Sequence, residues 1–198
     1  MTSEHESGRR EFKKAVTRAA ILDAARRLFR DHGVQQTSVQ QVAEAAQTGV
    51  GTLYNYFPSK DALLNAVLLE DQRFWFAEYE ARVTAVMSHI EGLLVALDML
   101  WDYACESREL MIASFAVAAR EPDVTRLPGA SLVRAYSELL AEGIAAGGLS
   151  VSSVDGVART LVTNYVMAAL GIGPWRARGD DASLRGELHA ITRRIVSP

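Results

Sequence analysis

The 198-residue sequence predicts an all-α protein of about nine helices arranged in two parts. Three observations carry that expectation. Only five prolines interrupt the chain, so few segments are barred from helix. Apolar residues recur at the i, i+3, i+4 spacing of one helix face in block after block, and no segment alternates with the period of a strand. Hydrophobic residues make up 49% of the chain, enough for a proper core at this length.

The elements follow in order. The first dozen residues are polar and are expected to fray. A first helix begins between Arg10 and Thr17 and runs to His32, with Ile21, Ala25, Leu28 and Phe29 inward. Gly33 supplies a left-handed stop. Thr37 reads as the N-cap of a short second helix, Gln40 closing a capping box and Val39, Val42 and Ala43 forming the buried face. Small and polar residues from Ala45 to Gly49 break the chain. A third helix spans about Val50 to Phe57 and ends before Pro58, which disfavours helical geometry at the residue preceding it. Ser59 caps a fourth helix starting at Lys60, with Leu63, Leu64, Val67 and Leu68 as its stripe, reaching residue 80 or so. Ile90, Leu93, Leu94, Leu97, Trp101 and Ala104 mark a fifth, ending near Ser107. A sixth spans about Arg108 to Arg120, and Glu121 to Gly129 is a loop. The seventh, about Ala130 to Ala146, turns Leu132, Val133, Tyr136, Leu139, Leu140 and Ile144 inward before Gly147-Gly148. Ser152 with Asp155 opens an eighth, whose stripe of Val157, Leu161, Ala168 and Ala169 ends near Gly171. Asp181 caps the last, in which Leu184, Leu188, Ile191 and Ile195 share one side.

Helices two and three, joined by so short a turn, have the spacing of a DNA-binding helix-turn-helix, whose second helix enters the major groove. Leu53 and Phe57 lie four apart and face inward, leaving Thr52, Tyr54, Asn55 and Tyr56 outward. Hydroxyls of that kind donate to phosphate oxygens, and an asparagine pairs with a base edge. Lys60, in the first turn of the next helix, would set a cation beside helix amides that favour a phosphate. The string Gly51-Thr52-Leu53-Tyr54-Asn55-Tyr56-Phe57, followed by Ser59-Lys60 and Leu63, closely resembles the signature of the tetracycline-repressor (TetR) family. The match runs from about Arg18 to Leu64, the first third of the chain. The resemblance implies a DNA-binding part over residues 10–62 and an effector-binding and dimerisation part over residues 63–198. It implies a ligand-released repressor that binds a palindromic operator in double-stranded DNA as a homodimer. Thr37, Ser38, Gln40, Val50 and Gly51 then join the outward residues as candidate DNA contacts.

Three positions depart from the family pattern. Gln47 stands where most members have glycine at the turn, Gly49 where serine often caps the recognition helix, and Val50 where a cation is common. Gln47 in a left-handed backbone would cost about 1 kcal/mol. Val50 exchanges a polar contact for an apolar surface suited to a thymine methyl.

The net charge of −3 divides unevenly. Residues 1–60 carry nine Lys or Arg and six Asp or Glu, a net +3; the remainder carry twelve and eighteen, a net −6. The basic part holds the recognition element, although an asymmetry of this size does not establish nucleic-acid binding alone. No run of eighteen apolar residues suggests a membrane span, and the charged start MTSEHESGRREFKK does not read as a signal peptide. A single cysteine, Cys105, suits a reducing cytoplasm and reads as a buried, inert thiol.

Enzyme chemistry finds little support. The four histidines are scattered without metal-ligand spacing, no phosphate-binding glycine loop is present, and Asp98 with Asp102 reads as a solvated face or one wall of a polar pocket instead of an acid/base pair. No catalytic residue, metal or cofactor is expected. A helical binding protein with a drifted DNA-reading head is the more serious rival, and Gln47 and Val50 are its motive. Phe74, Trp75, Trp101, Tyr103, Phe115 and Tyr165 provide aromatic surface for a small-molecule effector pocket between helices. Leu161, Ala168, Ala169, Leu188, Ile191 and Ile195 provide the expected dimer contact.

Overall fold

A computed structural model describes residues 2–83, 87–123, 125, 127–175 and 181–197. Among them lie nine α-helices and no strand: α1 (Thr2–His32), α2 (Val39–Ala45), α3 (Val50–Tyr56), α4 (Lys60–Arg82), α5 (His89–Glu106), α6 (Arg108–Ala118), α7 (Pro128–Ala145), α8 (Val154–Ala169) and α9 (Asp181–Val196). A 3-10 turn covers Gly173–Trp175. The all-α expectation holds. No helix of the described residues is long and apolar enough to cross a membrane.

Several boundaries differ from expectation, each for a local reason. α1 does not begin near Arg10 but reaches back to Thr2, since nothing but Gly8 among these residues resists helix. The cap of α2 is Ser38, not Thr37. Ser38 Oγ accepts from Gln41 N, and the Gln41 side chain accepts from Ser38 N, so the capping box sits one residue later. α8 is likewise capped by Ser153 rather than Ser152, with Gly156 N donating to Ser153 Oγ. Pro128 opens α7 two residues early, at a position where its missing N–H is no loss. Asp181 is the first helical residue of α9; what precedes it lies outside the described residues.

By contact the chain forms two compact units. The first comprises residues 1–70 with 109–121, the second 71–108 with 122–198. In the first, Ile21, Leu22, Ala25 and Phe29 of α1, Val42 and Ala43 of α2, Leu53 and Phe57, and Leu63, Leu64 and Val67 of α4 are all buried. The cores of two short helices are thus anchored on two longer ones. In the second, α7 and α8 pack around α5. Tyr136, fully buried, donates its hydroxyl to Ala96 O at 2.6 Å, and burial holds its pKa well above the usual phenol value.

The turn between α2 and α3 closes as a Schellman motif: Gln47 N donates to Glu44 O and Thr48 N to Ala43 O. The same pattern ends α7 and α8, where the left-handed position is Gly147 (φ +74°) and Gly171 (φ +60°). Between α2 and α3 it is Gln47, at φ +53°. Side chains tolerate that backbone poorly because Cβ crowds the following carbonyl. Gln47→Gly is therefore expected to raise stability by about 1 kcal/mol. The melting temperature should rise by roughly 2–4 °C, and calorimetry showing a decrease would contradict a strained turn.

Candidate nucleic-acid interface

α3 is short, and its orientation rests on two side chains. Leu53 (1% exposed) and Phe57 (4%) point into the first unit, one turn apart. The residues between them are left on the open side: Thr52 and Asn55 are exposed, Tyr54 is 48% exposed, and Tyr56 is half-buried with its ring 6.4 Å from that of Phe57. Gly49 and Gly51 are exposed and Val50 is half-buried at the first helical position. Asn55, Tyr54 and Thr52 thus form one polar, accessible ridge, and Tyr56 is its packed edge. Gln40 of α2 and the cap residue Ser38 are also exposed.

Two of the expected DNA contacts are engaged within the chain. Thr37 is 1% exposed, and its hydroxyl donates to Leu28 O (3.2 Å) and Gly33 O (2.9 Å). It ties the chain leaving α1 back onto the last turns of that helix. Lys60 is half-buried, and its Nζ donates to Val34 O (2.9 Å), Thr37 O (3.2 Å) and Gln35 O (3.4 Å). All three ammonium donors are thereby used. Lys60 bolts the α1–α2 connection to the start of α4, while Ser59 caps α4 by accepting from Ala62 N at 3.0 Å.

Sequence reasoning also missed Arg18. Its guanidinium lies 5.5 Å from the Phe57 ring centroid and 3.6 Å from Glu70, joining α1 to the end of α3. Glu70 also takes Arg26 at 3.5 Å.

The expected pocket residues do not form one group. Phe115 is 41% exposed on α6, in the first unit. Trp101, 1% exposed, lies beneath the Arg185 guanidinium at 5.2 Å, and Tyr165 bonds Thr192 Oγ1 at 3.2 Å and lies beside His189. Burial raises the Tyr165 pKa to about 12, so it remains a neutral phenol. These two rings are core. Trp75 belongs to a different cluster, stacked on Tyr79 at 5.9 Å, tilted to Tyr136 at 5.9 Å and edge-on to Phe76 at 4.6 Å. Nearby on the same helix Asp71, buried, accepts from Tyr103 Oη at 3.0 Å. Gln72 donates to Pro128 O at 2.9 Å. Two buried polar atoms there, Trp75 Nε1 and Gln72 Oε1, have no hydrogen-bond partner among the described residues.

Asp98 is half-buried and Asp102 exposed, and α9 supplies partners to both. Arg185 of α9 bridges them at 3.6 and 2.6 Å, and His189 Nε2 lies 2.9 Å from Asp98. Cys105 is exposed rather than buried, because the stripe of α5 passes through Trp101 and Ala104. Partial burial, then Asp181, raises its pKa, so its thiolate is disfavoured.

The expected dimer set divides as well. Leu161 (3%), Ala168 (5%) and Leu188 (4%) are buried in their own chain, Ala169 is half-buried, and Ile191 (47%) and Ile195 (40%) are exposed. Beside Ile195 runs an open groove of about 380 Å³ lined by Ser152, Ser153, Gly156, Val157, Thr160 and Leu161.

Residues 21–67 match the family model described as bacterial regulatory proteins, tetR family. The HTH-type transcriptional regulator RutR of Escherichia coli O157:H7 is 31% identical over 150 residues, spanning 73% of this chain and 69% of the relative. The chain belongs to the TetR family. The HTH-type transcriptional regulator UidR of Escherichia coli K12 is 29% identical over 111 residues, and the matched part spans 56% of each chain, little more than half of that relative. Among solved structures, Thermus thermophilus FadR, a TetR-family transcriptional repressor in complex with lauroyl-CoA, superposes with a TM-score of 0.68. That pair shares 25% identity, covering 89% of this chain and 91% of the other.

Proposed function

We propose that this TetR-family chain is a transcriptional regulator that binds a palindromic operator as a homodimer and is released by a small molecule. The observation that carries the reading is the ridge of α3: Leu53 and Phe57 fix the helix, and Thr52, Tyr54 and Asn55 are presented to solvent on it. A short helix held in this way, after a second helix and a tight turn, is dimensioned for the major groove. Ser38, Gln40 and the start of α4 add contacts to the phosphates. Thr37 and Lys60 act one step back, by holding the frame.

The effector reading is supported by Trp75 Nε1 and Gln72 Oε1, a buried donor and a buried acceptor three residues apart on α4 that have no hydrogen-bond partner among the described residues, the Trp75 ring itself being stacked on Tyr79. A ligand supplying one acceptor and one donor on an apolar body would satisfy both. A hundredfold preference for the DNA-incompetent state corresponds to about 2.7 kcal/mol of coupling, and DNA must then weaken the ligand by the same factor.

The test is fluorescence anisotropy with a duplex taken from upstream of the gene and a scrambled duplex of equal length. Asn55→Ala is expected to cut the preference for the upstream duplex by about 5- to 150-fold, the worth of one base-edge pairing. Tyr54→Phe should weaken both duplexes alike. Wild type binding the two duplexes equally would reject sequence-specific regulation.

A further inference from the structure

We propose that the exposed early turns of α1, residues 9–18, form a second and sequence-independent contact to duplex DNA, lying on phosphates outside the stretch read by α3. The inference rests on the DNA-binding reading above and adds a surface to it.

Among the described side chains of α1, from Ser7 onward, the first buried one is Ile21. From Ser7 to Ala20 every residue is exposed except Thr17 and Ala20, which are half-buried. At 1.5 Å per residue, Arg9 stands about 18 Å beyond the first core residue. A helix that buries nothing gains no stability from packing, so its composition answers to something other than the core of its own chain.

That composition is cationic on one side. Arg9 with Lys13 and Arg10 with Lys14 are each four apart, and at 100° per residue the four fall within an arc of about 140°. The lone acid in the stretch, Glu11, pairs with Lys14 at 2.8 Å, both ends being open to water. Exposed pairs of that kind yield readily to a stronger anion. Arg9, Arg10 and Lys13 have no ion-pair partner among the described residues.

The stretch also leaves the core at a telling place. Arg18, the last cation of the series, packs over Phe57 at the end of α3. Lys14 lies one turn, about 6 Å, further out. The cationic arc therefore starts beside the proposed recognition helix, where flanking phosphates would be nearest. Phe12 and Val16, 70% and 52% exposed, form an apolar row of only two side chains beside the arc. An interfacial membrane helix needs a far broader apolar face, so charge complementarity favours nucleic acid.

The experiment uses the full chain and the substitutions Arg9→Ala, Arg10→Ala, Lys13→Ala and Lys14→Ala together. Dissociation constants are measured for the upstream and scrambled duplexes between 50 and 200 mM salt. Each neutralised phosphate contributes about 0.9 to the salt slope, so losing four cations should lower the slope by up to about 3.6 per protomer. The gain in affinity on lowering the salt from 200 to 50 mM should then shrink by up to about 150-fold per protomer. The preference for upstream over scrambled duplex should be unchanged, and so should the melting temperature, because the replaced side chains touch no core residue. Equal slopes for variant and wild type, with wild type still selecting the upstream duplex, would overturn this inference and leave the proposed function standing. Wild type that binds no duplex would overturn both. Wild type alone sedimenting with phosphatidylserine–phosphatidylcholine vesicles, at equal DNA slopes, would reassign the arc to an anionic membrane surface.

Discussion

Ile191→Glu combined with Ile195→Glu is expected to give a folded monomer whose affinity for a two-half-site operator falls by about 10²- to 10⁴-fold. The factor is the avidity lost when two linked contacts become one. Both side chains lie on the outer side of α9, 47% and 40% exposed, so charging them disturbs no core. Ile195 also borders the open groove at the start of α8, the kind of recess that side chains of a second copy would fill. A two-fold partner would bring the same face of its own α9, so each substitution acts twice across the axis. Leu188→Glu is the instructive control. Leu188 is 4% exposed within its own chain, so a carboxylate there is buried without a partner and unfolds the unit instead of separating it from a neighbour. Sedimentation equilibrium and circular dichroism together separate the two outcomes. A double variant that remains dimeric, or a wild type that is monomeric, would defeat the assignment of this face.

The sequence made legible those features whose partners are close along the chain. Leu53 and Phe57 are one helical turn apart, and the inward stripe they imply is the one observed. The left-handed cost at Gln47 was readable because a turn of fixed length between two helices demands that backbone wherever glycine is absent. Other features depend on residues far apart in the chain. Asp98 and Asp102 read as a solvated face or a polar wall, but their partner Arg185, 83 positions beyond Asp102, is not readable from their spacing. The stripe of α9 shows four apolar positions on one side, but periodicity gives a face without its width. Leu184 and Leu188 turned out to fill the protomer, with Ile191 and Ile195 left outside. Thr37 and Ser38 are adjacent hydroxyl residues, either competent to cap. The choice fell to Ser38 because the Thr37 hydroxyl turns to the carbonyls of Leu28, in α1, and Gly33, just beyond it. Aromatic residues carried the least positional information, since a ring in a helical core and a ring in a pocket follow the same spacing. Trp101 and Tyr165 proved to be the former.

Lys60→Ala is expected to destabilise the protein by about 2 kcal/mol and to weaken its binding to every duplex alike. A lysine that only met a phosphate would leave stability untouched and lower the salt slope by about one. The geometry argues for a larger and different effect. Three carbonyls of the α1–α2 connection, from Val34, Gln35 and Thr37, converge on a single Nζ. Hydrogen bonds to a charged group contribute about 1.5–3 kcal/mol each when well formed. Part of that is discounted, because Gln35 O is exposed and water replaces the lost donor there. Val34 O and Thr37 O are part-buried and bear most of the loss. The connection they belong to sets where Ser38 caps α2, and hence where α2 and α3 stand. Lys60→Arg separates the two roles. An arginine keeps the charge that a phosphate would need, but its planar fork cannot aim three donors at three converging oxygens as an ammonium does. Urea unfolding of both variants beside their DNA affinities therefore decides the matter. Lys60→Arg should lose stability nearly as Lys60→Ala does; Lys60→Arg with wild-type stability and binding, beside Lys60→Ala with wild-type stability and a salt slope lower by about one, would return Lys60 to the phosphate backbone.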